Sequence, residues 1–478
     1  MLSKSDGQGQ MFQYIQLEDL VPQDHLLRRI RAVLDLKAIY KATEGCYSAK
    51  RGRPSVDPTV AFRMMLLGYL YNLPERRLCE DLQMHAGYRW FCGLDFNQKL
   101  PDRTTLVKLR RHQWGEAVFR EVMRAGVQQC IDAGLVKGSA VVVDGSEVRA
   151  RAAIKSLEAL APEQSADEFV TNVVREDAVE SPAPLASSDP PGPPSSDGAK
   201  GEPAAGKSRK AGDEDFHGQT FTNETHRSKT DPDARLFRKG KTGATLSYLV
   251  HDTMDLKSGV ILATTATHAY SAKERAAAID LLDEIQGYFG RQLRLRFLLM
   301  DANYTEGQFL AKILRRGVEP IVPTDRVRKA EVPGPLRRRL IPLQTARNHR
   351  DKVDGAEAAS HVRSRTRPPE LARARTRIER TFAEAKECHG MRRAKGFGLE
   401  MMNVQALMTA TVQNLRRLAG LARKKGSGQA VMPVGGSAHL LTVPTSLVIA
   451  FRHIFRSLFQ NVWRSFDRLI QPDFSPVF

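Results

Sequence analysis

Residues 140–148 read Ala140-Val141-Val142-Val143-Asp144-Gly145-Ser146-Glu147-Val148. Three consecutive β-branched residues predict a buried strand. The carboxylate expected at its carboxyl end either caps a turn or has chemistry to do. A second apolar run, Leu298-Leu299-Met300, ends the same way at Asp301. One acid in such a place says little, because turns favour Asp. Two say more, because ligand sites of open α/β sheets lie at the carboxyl ends of strands. On neighbouring strands the two carboxylates would repel each other and one would hold a proton. A divalent cation removes that conflict. Hard oxygen donors with no Cys or His nearby select Mg²⁺ or Mn²⁺.

Outward from these strands, the order of elements reads strand, insertion, strand, strand, helix, strand, helix, strand, helix. This predicts an α/β fold, a mixed sheet flanked by helices. Residues 243–268 read as two strands joined by a turn around Asp255–Gly259. Ser271 is the expected N-cap of a helix ending near Gly287 or Gly290, and a shorter helix stops at Gly317. Val318–Thr324 reads as a short strand. Before the sheet, residues 1–135 read as helical. Asp57-Pro58 forms an N-cap and first-turn pair, another helix begins near Pro74, and Asp102 starts a third. The third carries Lys108, Arg110 and Arg111, as a DNA-binding module would, although the pattern also admits a plain helical domain with a solvated charged face. Lys50–Ser55, "KRGRPS", supplies Arg51 and Arg53 to a loop that a minor groove could accept.

The expected domains are a helical DNA-binding region over 1–135, a catalytic domain over 136–425, and a linker plus amphipathic helix over 426–478. Two insertions interrupt the middle part. Residues 156–215 carry 13 Asp or Glu and 5 Lys or Arg among many Pro, Ser and Gly, a composition expected to stay disordered. Residues 324–370 read as irregular and basic.

The chain of 478 residues has a net charge of +19, and outside the acidic insertion the balance is +27. A polyanion is the natural counterpart, nucleic acid first. No apolar run approaches the ~18 residues of a membrane span, and the first residues lack a signal peptide's apolar centre, so a cytoplasmic, nucleoid-associated protein without a membrane partner is expected. The five cysteines form no C-x-x-C pair, which argues against a zinc cage. The tail segment 447–470 is basic, aromatic and amphipathic, suited to pairing protomers, touching DNA or lying on a membrane surface.

A third acid comes from the segment expected to be one long helix from Pro369 to Gly390. Arg375, Glu379, Phe382 and Lys386 are spaced 4, 3 and 4, which places them within about 60° of one helix face. Glu384 and Glu387 point elsewhere and read as solvated. On the helix alone, Arg375 and Glu379 also fit a surface ion pair worth a few tenths of a kcal/mol.

This set resembles the DDE transposases of bacterial insertion sequences, whose catalytic domain is RNase H-like. Their helix signature, Tyr-x2-Arg-x3-Glu-x6-Lys, is met at Arg375, Glu379 and Lys386, with Ala372 in the tyrosine position. "VVVDGSEVRARA" looks like the family's first-Asp strand. "LLMDANYTEG" looks like the second, with Asn303 where glycine is usual. "SKTDPDARL" (228–236) and the helical stretch from Gly52 to Asp95 are also similar to the family. The resemblance implies that Asp144, Asp301 and Glu379 are catalytic and hold two Mg²⁺ or Mn²⁺ ions, Asp144 bridging both. It implies that Arg375 and Lys386 contact phosphates near the cut. It also implies cleavage at the terminal inverted repeats of an element, strand transfer into target DNA, and a homodimer or higher oligomer on DNA. An RNase H-like nuclease or resolvase without strand transfer, or an inactive repressor derived from a transposase, are the rival readings.

Overall fold

The structure, a computed structural model, describes residues 16–48, 55–160, 222–238, 243–327, 343–365, 371 and 374–428. Arg51, Arg53, Ala372 and the expected helix at 447–470 lie outside the described residues. By its contacts the chain divides into units 1–425 and 426–478.

The helical region opens with α1 Leu17–Leu20, α2 Leu26–Val33 and α3 Leu36–Thr43. It continues with α4 Pro58–Leu70, α5 Glu75–Met84, α6 Ala86–Cys92, α7 Arg103–Lys108 and α8 Gly115–Asp132. Asp57 caps α4 as expected, accepting from Thr59 N at 2.7 Å. Helix α4 is apolar nearly all round and almost every residue of it is buried, as a helix at the centre of a bundle must be. Asp102 caps α7, accepting from Thr104 N at 2.7 Å. The basic run does not continue as one helix: residues Leu109–Trp114 form a wider turn of π-helix, and Gly115 takes φ +62°.

The sheet contains β1 Ala140–Arg149, β4 Arg235–Phe237, β5 Thr245–Asp255, β6 Ile261–His268, β7 Phe297–Leu299 and β8 Glu319–Ile321. Strand β5 lies beside β1 and pairs on its other edge with both β4 and β6; β7 and β8 follow on the far side of β1. The β1–β5 and β5–β6 ladders are antiparallel, while β1–β7 and β7–β8 are parallel. This is the expected mixed sheet. It is flanked by α9 Ser271–Phe289, α10 Gly307–Leu314, α11 Leu343–Ser364, α12 Arg377–Cys388 and α13 Leu399–Gly428.

Alternation along β1 sorts its side chains into two layers. Val141 and Val143 join the main apolar cluster, which also contains α4, α8 and α9 residues, so the helical region and the sheet share one core. Val142 meets Met254, Leu299, Ile321 and Ile378 on the opposite face, and Val148 meets Tyr248, Val250, Ala385 and Met402 there. Asp144 lies on this second face, between two apolar patches covered by α12 and α13.

Several expectations need correction. Strand β1 does not end at Asp144. Its antiparallel ladder with β5 runs from Val141↔Asp255 to Arg149↔Ser247, because Ser146 and Val148 continue the buried alternation. Residues 156–160 do not belong to a disordered insertion: β2 Leu157–Ala159 pairs with β3 His226–Ser228. Residues 324–370 are not irregular throughout, since α11 fills 343–364. It packs against α10 with Ala356, Ala358, Ala359 and Val362 buried. Gly307 and Gly355 meet so closely that a Cβ on Gly307 would lie 2.3 Å from the Gly355 carbonyl oxygen. Ser271 is the first residue of α9 and Tyr270 its N-cap. The segment around 371–388 is not one helix, because the chain turns at Arg375–Thr376 before α12 starts at Arg377.

Candidate active site

The site sits where the two ladders of β1 differ in length. On the β5 side, pairing continues past Asp144. On the β7 side, it stops after Val142↔Leu299, which leaves the β7 edge of β1 open from Val143 onward. Carried two residues further, that register sets Asp144 opposite Asp301, at a strand spacing of about 4.8 Å. Asp301 instead leaves the ladder, and its Oδ1 accepts from Asn303 N at 2.8 Å, starting the turn Ala302–Tyr304. The Tyr304 hydroxyl is buried and, among the described residues, has no hydrogen-bond partner. Burial, and then the negative charges of Glu274, Asp144 and Asp301, push its pKa upward. One buried hydroxyl therefore senses both aspartates.

Glu379 lies in the first turn of α12, where a carboxylate is favoured by the helix dipole. Ile378, Thr381 and Ala385 bury the opposite face of that helix. The turn before α12 lets Arg375 reach back over the sheet. Its Nη1 is 3.7 Å from Asp144 Oδ2 and its Nη2 is 3.7 Å from Glu379 Oε1. A single guanidinium thus faces two of the three acids, which stand 235 positions apart in the chain. Glu379 is 59% exposed. Among the described residues, no three His, Cys, Asp or Glu side chains stand close enough to share a metal ion. Arg375 lies between Asp144 and Glu379, and Asp301 opens the turn that follows β7. The donor chemistry nevertheless fits a hard divalent cation: the acids are all oxygen donors, and a positive group already lies between Asp144 and Glu379.

The remaining expected residues are spread more widely. Lys386 is half-buried on α12, two turns past Glu379. Lys108 and Arg111 are exposed. Arg110 is partly buried and its Nη1 is bonded to Glu75, so its charge serves contacts within the helical region.

Some residues at the site were not picked out from the sequence. Asp252 lies directly across from Asp144 on β5 and is buried on the same face. Thr264 Oγ1 donates to its Oδ1 at 2.5 Å. Burial raises its pKa to about 6, against the Thr264 hydrogen bond and the Arg417 charge, and Asp144 pushes in the same direction as burial. Its signal in the sequence is a charge in the middle of the apolar strand "LSYLVHDTM". Glu384 corrects the expectation of a solvated side chain. It accepts from Arg416 Nη1 at 2.8 Å, from Arg417 Nη2 at 3.3 Å and from Gln413 Nε2 at 3.1 Å. These bonds tie α12 to α13. Glu387, as expected, is exposed; its only ion-pair partner among the described residues is Arg392. The 228–236 stretch has a structural role. Asp231 is buried and accepts from Tyr248 Oη (2.6 Å) and Gly398 N (3.0 Å), and Asp233 accepts from Leu399 N at 2.9 Å. Together they fix the start of α13.

The family described as Transposase DDE domain matches residues 220–415, and the family described as Transposase domain (DUF772) matches residues 15–112. The chain belongs to the DDE transposases of insertion sequences. The match to the DDE domain spans Asp301, Arg375, Glu379 and Lys386, and the sheet and helical region have the architecture expected of such a transposase. No curated protein and no solved structure matches the chain significantly. As a transposase it is a DNA-cleaving enzyme with DNA as its substrate. Among the described residues, no helix is long and apolar enough to cross a membrane.

Proposed function

We propose that this transposase binds the terminal inverted repeats of its element, cuts the DNA at the ends and joins the freed 3′ ends to target DNA, with Asp144, Asp301 and Glu379 as the reacting site. The observation that carries this reading is the Arg375 guanidinium facing both Asp144 and Glu379. It links an acid of the central strand to an acid of α12, beside the place where β7 releases Asp301.

When bound, two Mg²⁺ or Mn²⁺ ions supply Lewis acidity and a nucleophilic oxygen near neutral pH. Asp144, Asp301 and Glu379 are the residues that would hold them. Holding them requires Arg375 to give up its contacts with the two carboxylates. Its planar fork then suits a phosphate of the bound strand, and Lys386 offers a point charge further along the same helix. The apolar patches around Val142 and Val148 keep the floor of the site dry, which strengthens every charge interaction there. Glu384, bonded to Arg416 and Arg417, keeps α12 seated so that Glu379 and Lys386 hold their places.

The test uses a plasmid carrying the element's ends, with wild-type protein and Asp144→Asn. Wild type is expected to release the element and to join labelled 3′ ends in the presence of Mg²⁺. Asp144→Asn is expected to bind the same DNA and do neither. Cleavage by Asp144→Asn at the wild-type rate would overturn the assignment. Cleavage without joining by the wild type would replace transposition by the nuclease reading.

A further inference from the structure

Between the helical region and the sheet lies an open cleft of about 560 Å³ that the acidic site does not account for. Its lining includes eight Arg or Lys side chains and one carboxylate, Glu75. Part of that charge is balanced internally: Arg110 pairs with Glu75, Arg76 with Glu80 and Arg392 with Glu387. Among the described residues, no carboxylate pairs with Arg103, Arg151, Arg393 or Lys395. Arg103 comes from the first residue of α7, and the other three come from the sheet side. A concave surface lined by one sign of charge focuses its field on an opposite charge.

The wall on the sheet side is firmly held. Residues 390–395 follow α12 and are pinned by the buried side chain of Gln405. It accepts from Lys395 N at 2.7 Å and donates to the carbonyls of Gly390 (3.2 Å) and Arg393 (3.1 Å). The same loop is stitched to the end of β1, where Arg149 N donates to Arg392 O and Ala394 N donates to Arg149 O. On its other side the loop presses on the helical region. Gly390 takes φ +77°, and a Cβ there would lie 2.2 Å from Asn72 Oδ1. The Lys395 ammonium donates to Gly68 O at 3.3 Å and lies 4.5 Å from the centre of the Tyr69 ring. Burial, with the Arg110 charge, brings its pKa down to about 8, a state that a bound anion would reverse. Lys386 lines the inner part of this cleft, and it is also the residue of α12 that faces the reacting site in the proposed function.

We infer that the cleft is a track for the phosphate backbone of duplex DNA, with Arg103, Arg151, Arg393 and Lys395 as its contacts, continuous through Lys386 with the acidic site. The inference rests on the proposed function for the identity of the ligand, and it adds a binding surface made jointly by the helical region and the loop after α12.

The test measures binding, not turnover, so it can fail while the cleavage reading stands, and the reverse. Full-length protein carrying Asp144→Asn is titrated against a fluorescein-labelled duplex oligonucleotide over a range of salt. Arg103→Gln and Arg393→Gln are introduced singly and together. Arg291→Gln with Arg294→Gln serves as the control, on exposed residues of a separate surface depression. Each cleft substitution is expected to weaken binding and to lower the slope of log K against log salt by about 0.9. The pair should lower it by about twice that, and the control should leave it unchanged. Thermal unfolding reports whether each variant is folded. As a second measurement, wild-type protein is treated with an arginine-specific dicarbonyl reagent with and without the duplex. Protection of Arg103 and Arg151 but not Arg291 is expected. Wild-type affinity and slope in the folded double variant, or equal modification with and without DNA, would overturn the inference.

Discussion

Replacing Glu384 by Gln tests what holds α12, the helix that carries Glu379, in place. Glu384 bridges α12 to α13 through Arg416, Arg417 and Gln413, and His389 Nε2 stands 3.8 Å away. Burial pushes its pKa up, yet the neighbouring His389 ring and the charges of Arg417 and Arg416 outweigh it. They bring the carboxyl down from 4.5 to about 2. At about 1.4 kcal/mol per pH unit, that displacement corresponds to about 3 kcal/mol of stability. With 27% of the side chain in water, screening trims the figure to about 2–3 kcal/mol. Because the folded value lies below the unfolded one, this stability is fully present above about pH 4.5 and is lost as pH falls towards 2. At pH 7 the Gln variant should therefore unfold roughly 4–6 °C lower, at about 2 °C per kcal/mol for a large domain. The gap between variant and wild type should shrink steadily below pH 4.5. Thermal unfolding followed by circular dichroism from pH 7 to the lowest pH at which both proteins fold reads both quantities. Equal midpoints at pH 7, or a gap that does not change with pH, would refute the reasoning. It would mean that Glu384 contributes no more than a surface ion pair.

Four further outcomes are expected. Tyr248→Phe removes the 2.6 Å hydrogen bond to buried Asp231 and should cost about 1–3 kcal/mol in urea unfolding, because the carboxylate loses a partner away from water. Gly390→Ala adds a Cβ 2.2 Å from Asn72 Oδ1 at φ +77°. It should destabilise the protein by about 1–3 kcal/mol and weaken duplex binding in the anisotropy assay, since it displaces the loop that carries Arg393 and Lys395. Gly307→Ala drives a Cβ into the backbone of Gly355 and should lower the thermal midpoint through the α10–α11 contact, with little effect on DNA affinity. Mg²⁺ or Mn²⁺ at a hundredfold excess over Kd should stabilise the wild type by about 2.7 kcal/mol, read as a higher thermal midpoint. Asp144→Asn should show much less of that gain.

Much of the architecture could be read from the chain because it depends on local rules. The Val141–Val143 run, the Asp57-Pro58 cap, the Asp102 cap and the turn at Asp255–Gly259 each carry their reason within a few residues. The three acids were legible as types in a particular order. Their mutual placement was not, because nothing local fixes the lengths of two ladders on one strand. Asp144 was expected at a strand end. The structure makes it an end on the β7 side only, since β7 offers three residues of pairing to β1 and β5 offers nine. The helix at 343–364 was missed because its many charges hide a narrow stripe of Ala and Gly whose value appears only against α10. Glu384 was misread for a related reason: a helical wheel shows which residues share a face, not what packs against it.

By itself, the sequence determined the kind of protein: an α/β sheet interrupted by an acidic insertion, three acids in transposase order, and a charge suited to DNA. Tertiary structure alone decided that Arg375 bends back between Asp144 and Glu379, that Asp252 lies buried across from Asp144, and that the loop after α12 joins the helical region in one basic cleft. The difference is physical. Propensity and periodicity act over a few residues, whereas charge and burial act over ångströms, and residues hundreds of positions apart become neighbours only once the chain has closed.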